Sequence, residues 1–314
     1  MRFSLPAGPQ GRRASGDGGV RIGPSLGSGA ACPGHQIRLI SAQFVRPFVK
    51  SNKTDAADAE AIWEATQRPQ MRFVALKSEL QQAVLGLHRM RQLLVKQRTM
   101  QANQVRGVLY EFGVVVAVSW RALLKQAVAV LADSSRGEVP ELIRAELLQQ
   151  VHGLRELTDR IEQLERTIGT YRKQEEQCQR IEAIPGVGPL SSTAVLAAIG
   201  DARTFRSGRE FAAFLGLVPR QSGTGGWVRL LGISKRGDPY LRTLLIHGAR
   251  TVVNHSTRPG RIPARWLREL LARRPKNVAI VALANKIART IWALLAHGRS
   301  FDERWGQAQP VPVV

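Results

Sequence analysis

Cysteine is almost missing from this chain. Only Cys32 and Cys178 occur among 314 residues, and they form no spacing motif. A disulfide scaffold is excluded, and a reduced cytoplasmic protein is the simple reading. Six scattered histidines offer no metal-binding cluster. Acids are scarce: 24 Asp and Glu stand against 46 Lys and Arg, for a formal charge of +22. A field of that sign attracts polyanions, and nucleic acid is the default partner, with a membrane surface the lesser alternative. No unbroken apolar run approaches ~18 residues, so no transmembrane helix is expected. The opening MRFSLPAGPQGRRASGDGG lacks the apolar middle of a secretory signal.

What is present divides the chain into stretches of different character. Residues 1–33 are rich in Gly, Ser, Pro and Arg without periodicity, and are expected to be disordered. Residues 34–78 read as a partial α/β domain. QIRLISAQFV suits a strand and turn, Asp55 to Thr66 a helix capped by Thr54 and stopped by Pro69, and 71–78 a short strand. Residues 79–179 read as long helices. The first carries Arg89, Arg91, Lys96, Arg98 and Arg106, a face open to solvent or to nucleic acid. Val114 to Val118 is a β-branched run, and Trp120 to Ala132 a short helix. From Val139, apolar residues near heptad spacing predict an antiparallel coiled-coil arm or dimerisation helices. Residues 180–301 read as a helical domain and 302–314 as a loose tail. The fold class is therefore mostly α, with long coiled-coil helices in the middle.

Chemistry concentrates between Ile184 and Arg242. IPGVGPL between apolar helices suits a helix-hairpin-helix element, in which Gly186 and Gly188 let backbone N–H groups approach a phosphate. Ser191 and Ser192 are expected to cap a helix from Thr193 to Ile199. A Gly-rich segment follows with Ser222 and Thr224, which read either as turn residues or as nucleophiles. Lys235, Arg236, Arg242 and Arg250 supply positive charge nearby. Far upstream, Asp55 and Asp58 share one face of a helix start. They read either as acids favoured by the helix dipole or as a carboxylate pair for Mg²⁺. His247 reads as a core or interface histidine.

Several segments together resemble a known family. SAQFVRPFVKSNKTDAADAEAIWEA, RFVALKS, HRMRQLLVKQRTM, IPGVGPL, REFAAFLGLVPRQ, RLLGISKRGDPYLRTLLIHGAR and RRPKNVAIVALANKIARTIWALL are similar, in order and spacing, to the insertion-sequence 110 family of transposases, in its 1111 subgroup. The likeness runs from about His35 to Phe301. It implies a RuvC-like N-terminal domain whose DEDD acids bind Mg²⁺, a coiled-coil linker, and a C-terminal domain with a nucleophilic serine. It also implies excision and integration of DNA guided by a structured RNA, in a homo-oligomer without membrane association, in the bacterial cytoplasm near the nucleoid. Asp55 and Asp58 match the last two acids of the set.

Two positions depart from the pattern. The family's first Asp and its Glu lie before the position of His35, where this chain has only Asp17 in its Gly/Ser/Pro/Arg stretch. An N-terminally truncated or frameshifted chain is expected on that ground, with weak Mg²⁺ binding. The family's serine position holds Gly223, between Ser222 and Thr224, and Trp227 stands where Lys is common. A catalytically dead remnant that only binds nucleic acid is the alternative reading, and a structural adaptor a third.

Overall fold

A threonine sets the frame of the N-terminal part. In the computed structural model, which describes residues 12–16, 36–40, 42–49, 54–69, 71, 73–74, 77–133, 139–256 and 265–302, the Thr54 hydroxyl accepts a hydrogen bond from the Ala57 amide at 3.2 Å. That bond satisfies one of the free amides of a helix start.

The chain forms two compact units, one from residues 1–83 and 177–314, the other from 84–176. In the first unit, strand β1 (Arg12–Gly16) pairs in parallel with β2 (Gln36–Ile40), and β2 pairs antiparallel with β3 (Phe73–Val74). Helices α1 (Ala42–Val45) and α2 (Asp55–Gln67) follow β2, joined through a 3-10 turn at Arg46–Phe48. Ala61 and Ala65 of α2 bury against Ile40 and Val45, with Phe48, Val49, Ile62 and Met71 around them. Strand β1 falls inside the stretch 1–33 for which the sequence predicts disorder. An edge strand presents unpaired N–H and C=O groups that another extended segment can satisfy, whatever its side chains. The rest of 1–33, and the tail from residue 303, lie outside the described residues.

The C-terminal part is helical: α6 (Glu176–Glu182), α7 (Pro189–Ile199), a 3-10 turn at Ala202–Thr204, and α8 (Gly208–Phe214). The hairpin β4 (Pro219–Thr224) and β5 (Trp227–Ile233) comes next, then α9 (Pro239–Ser256), α10 (Arg265–Arg273) and α11 (Lys276–His297). Helix α11 packs against α8, α9 and α10. It buries Ala279, Ile280, Ala284, Ile287, Ala288, Ile291 and Leu294. The Trp292 indole N–H lies within hydrogen-bond distance of the Ala202 and Phe205 carbonyls, at 3.1 and 3.2 Å. Among the described residues α11 alone is long and apolar enough, by length and composition, to cross a membrane. Asn285, Lys286 and Arg289 interrupt it, so its apolar run is not unbroken, and one side of the helix is buried within its own unit.

Helix α7 begins at Pro189, with Gly188 as its N-cap. Ser191 and Ser192 are therefore buried inside the helix, which corrects their expected capping role. Proline at the first helical position wins because its fixed φ suits that position and its missing N–H costs nothing there.

The second unit is an arm. Helices α3 (Glu79–Glu111) and α5 (Glu141–Gln174) run antiparallel, since Arg91 meets Glu165 and Gln101 reaches the Gln150 carbonyl. Beyond Arg144, the buried residues of α5 are Leu147, Val151, Leu154, Thr158 and Ile161, stepping by four and three, and then Ile168, a further seven along. That is the spacing that keeps one seam toward a neighbour. Helix α4 (Trp120–Ala132) closes the far end, where Leu109, Val114, Val116, Leu123, Leu131 and Val139 share a core. Val114 to Val118 forms no strand, because Val114 and Val116 turn inward against α4 and α5 instead of pairing. Arg144, buried at the base of α5, donates to the carbonyls of Val139 and Leu131 and fixes this corner.

Candidate nucleic-acid interface

The β4–β5 hairpin turns through Gly225 and Gly226, whose φ values are +55° and +85°. Two left-handed residues in a two-residue loop match the twist of the strands they join. Every residue from Pro219 to Gly232 is exposed. The register sets Ser222 opposite Arg229, Gly223 opposite Val228, and Thr224 opposite Trp227. Opposite residues share a face, and so do residues two apart. Ser222, Thr224, Trp227 and Arg229 therefore lie on one face, and Gly223 lies on the other. A Cβ at Gly223 would sit 2.1 Å from the Trp227 carbonyl oxygen, so no larger residue fits without moving the strand.

From Pro219 to Gly237 the sequence holds Arg220, Arg229, Lys235 and Arg236 and no acid. Lys235 takes a left-handed φ of +55°, an uncommon state for a residue with a side chain. Its amide donates to the Gly216 carbonyl at 3.1 Å. Gly216 and Gly237 are packed so closely that a Cβ would meet the Arg236 carbonyl oxygen at 2.0 Å and the Phe214 carbonyl oxygen at 1.9 Å. Arg242 completes this corner, donating from Nη1 to the Leu215 and Arg236 carbonyls at 3.1 and 3.2 Å. The structure thus gives Arg242 a task within the fold, while Lys235 and Arg236 remain exposed.

The Gly186 turn also has a task within the fold. Gly186 has φ +92°, and its Cβ would meet the Gly248 carbonyl oxygen on α9 at 2.9 Å. A Cβ on Gly248 would lie 1.8 Å from the Gly186 carbonyl oxygen. Two glycines let the turn lie directly on α9. Ser192 fastens the same turn from behind, donating to Glu182 Oε1 at 2.6 Å. Gly188 has open space around it.

Asp55 is exposed and Asp58 half-buried on the first turn of α2, which packs on β1, α1 and the 3-10 turn. Neither acid is sealed in a core. No cluster of three or more His, Cys, Asp or Glu suited to a metal occurs among the described residues. On the arm, Arg91 is held by Glu165 at 2.6 Å. Arg98 lies 4.5 Å over the Trp120 ring, where burial and then Arg91 lower its pKa. Lys96 is exposed.

Sequence reading missed β4, Arg229 and the hairpin itself. The signal was there: Gly-Gly between RQSGT and WVRLL is the two-residue hairpin pattern.

A family model described as transposase of the IS116/IS110/IS902 family matches residues 178–263, and a second transposase model, of the DEDD type, matches residues 30–113. The chain is therefore a transposase of an insertion sequence. More narrowly, it belongs to the IS110/IS116/IS902 family. It is 51% identical over 264 residues to a protein of Pseudomonas aeruginosa described as a probable family 20 transposase, covering 84% of this chain and 78% of that one. It is 43% identical over 272 residues to the transposase for insertion sequence element IS1328 of Yersinia enterocolitica, covering 86% and 80%. Against the transposase for IS1111A of Coxiella burnetii it is 43% identical over 267 residues, covering 84% and 72%.

Proposed function

We propose that this transposase holds a DNA strand on the β4–β5 hairpin and attacks its backbone with a hydroxyl of that hairpin. The observation that carries the reading is one exposed face with Ser222, Thr224 and Arg229 together, in a stretch of four cations without an acid. An oxygen of Ser222 or Thr224 forms a bond to phosphorus as the bond to the leaving strand breaks, and the hydroxyl proton ends on the leaving oxygen. One ester replaces another, so the strand can be rejoined without outside energy. Arg229 sits beside the hydroxyls, where it offsets charge that grows on the phosphate.

Asp55 and Asp58 would hold Mg²⁺. Two carboxylates on one helix turn suit an ion that keeps water and takes its remaining ligands from phosphate. When bound, the ion would supply a positive charge that polarises the phosphate. Guidance by an RNA of the element, a RuvC-like N-terminal fold, a helix-hairpin-helix role for the Gly186 turn, a coiled-coil arm joining copies into an oligomer, and a place at the nucleoid belong to the same proposal. Their support is the likeness to the family and the antiparallel arm.

A second reading, binding without cleavage, draws on the same hairpin. The family's serine position is Gly223, and a side chain there would strike the Trp227 carbonyl. Covalent trapping separates the two. On labelled DNA, wild-type protein should give a shifted adduct band that Ser222→Ala or Thr224→Ala removes and Asp55→Asn weakens. Retained DNA binding with no adduct in any of these proteins would establish the second reading.

A further inference from the structure

We propose that Trp227 is a stacking platform for an unpaired base, so that the hairpin takes a single strand in preference to a duplex. This rests on the reading above and names the form of nucleic acid that the hairpin accepts. Trp227 is 86% exposed, at the tip of a hairpin whose neighbours Val228 and Leu230 are exposed as well. Indole in water is unfavourable, and nothing among the described residues covers it. An occupant must therefore offer a flat apolar face. It must also suit a positive surface, because Arg229 shares the face of Trp227 and Arg220, Lys235 and Arg236 follow at the other end of the ribbon, with no acid from Pro219 to Gly237. A nucleic-acid strand with an unstacked base meets both demands, and the base faces of a duplex are already stacked on one another.

The register adds a distance argument. Trp227 is directly opposite Thr224 and shares the face of Ser222 and Arg229. A base resting on the indole would bring its own sugar and phosphate beside the two hydroxyls. The ring would then fix the strand along its length, and Arg229 would fix it by charge. Trp227 is a positioning residue in this scheme, since it takes no part in the bond changes.

The test is binding of full-length protein to a short mixed-sequence single-stranded DNA, to the same strand as a duplex, and to RNA of the same sequence. Trp227→Ala should weaken single-strand binding about thirtyfold, the middle of the range for base–aromatic stacking. Duplex binding should be unchanged, and Trp227→Phe should restore most of the loss. Quenching of a 2-aminopurine placed in the strand should vanish with Trp227→Ala. An exposed residue is not needed for folding, and an unchanged thermal midpoint verifies that. Tighter binding of either DNA or RNA identifies which single strand the tip receives, and stacking stands in both cases. Equal losses on single strand and duplex, or no loss, would overturn the proposal and leave the proposed function intact. Failure of wild-type protein to bind any nucleic acid would overturn both. A change in oligomer size with Trp227→Ala, and none in binding, would show the tip to be a contact between copies instead.

Discussion

At the scale of single residues, the fold depends on glycines where backbones meet. Replacing Gly248 by Ala inside α9 would ordinarily help a helix by about 0.5–1 kcal/mol. Here the added carbon falls 1.8 Å from the Gly186 carbonyl oxygen. Overpacking of that kind costs on the order of 2 kcal/mol or more, so the clash wins. Gly248→Ala should lower the thermal midpoint clearly, while Gly107→Ala, where a Cβ has open space, should raise it slightly. Calorimetry of the two variants measures both. The glycines of IPGVGPL were visible in the sequence, but their partner was not. Gly248 is far along the chain, and no local pattern announces a contact of that span. Arg242 and Arg91 teach the same lesson: composition shows a cation, and only tertiary structure shows whether carbonyls or a carboxylate already hold it.

At the scale of elements, the arm combines an apolar seam with polar residues set into it. His88 is buried on α3, and burial, reinforced by Arg91, pushes its pKa down from 6.5 to about 4. As pH falls below 6.5 the unfolded chain takes up a proton that the folded arm refuses. The stabilisation is full above that pH and is lost as pH drops toward 4, amounting to at most about 3 kcal/mol. Thermal midpoints across this window should fall for wild type and fall less for His88→Leu. The helices themselves were legible. Trp120–Ala132 appears as expected, and α2 ends one residue beyond its expected limit, because caps and heptads are local signals. Strand β4 was legible only through its Gly-Gly turn. Its RQSG has low strand preference and no buried face, so it shows no alternation.

At the scale of the whole molecule, a charge of +22 makes nucleic-acid affinity a matter of salt. If the four cations between Pro219 and Gly237 each meet a phosphate, log affinity for a single strand should fall with log salt at a slope of about −3. Arg229→Ala should reduce that slope by about 0.7, whereas Trp227→Ala should leave it alone. A salt titration by fluorescence anisotropy reads both. The overall basic character and the family likeness were plain in the sequence. The candidate site was only half plain: Ser222 and Thr224 could be named, but the face they share with Arg229 and Trp227 depends on a register that spacing does not reveal.

Among the described residues the exposed ribbon of β4 and β5 has two unpaired borders, each lined by backbone groups ready to pair. Val228, Leu230 and Leu231 would welcome an identical ribbon as readily as any ligand. Mutual repulsion of Arg220 and Arg229 between neighbouring molecules opposes such pairing. Ions that screen this repulsion weaken the safeguard, so an unliganded pool of the protein is most prone to clump where its grip on a strand is also poorest.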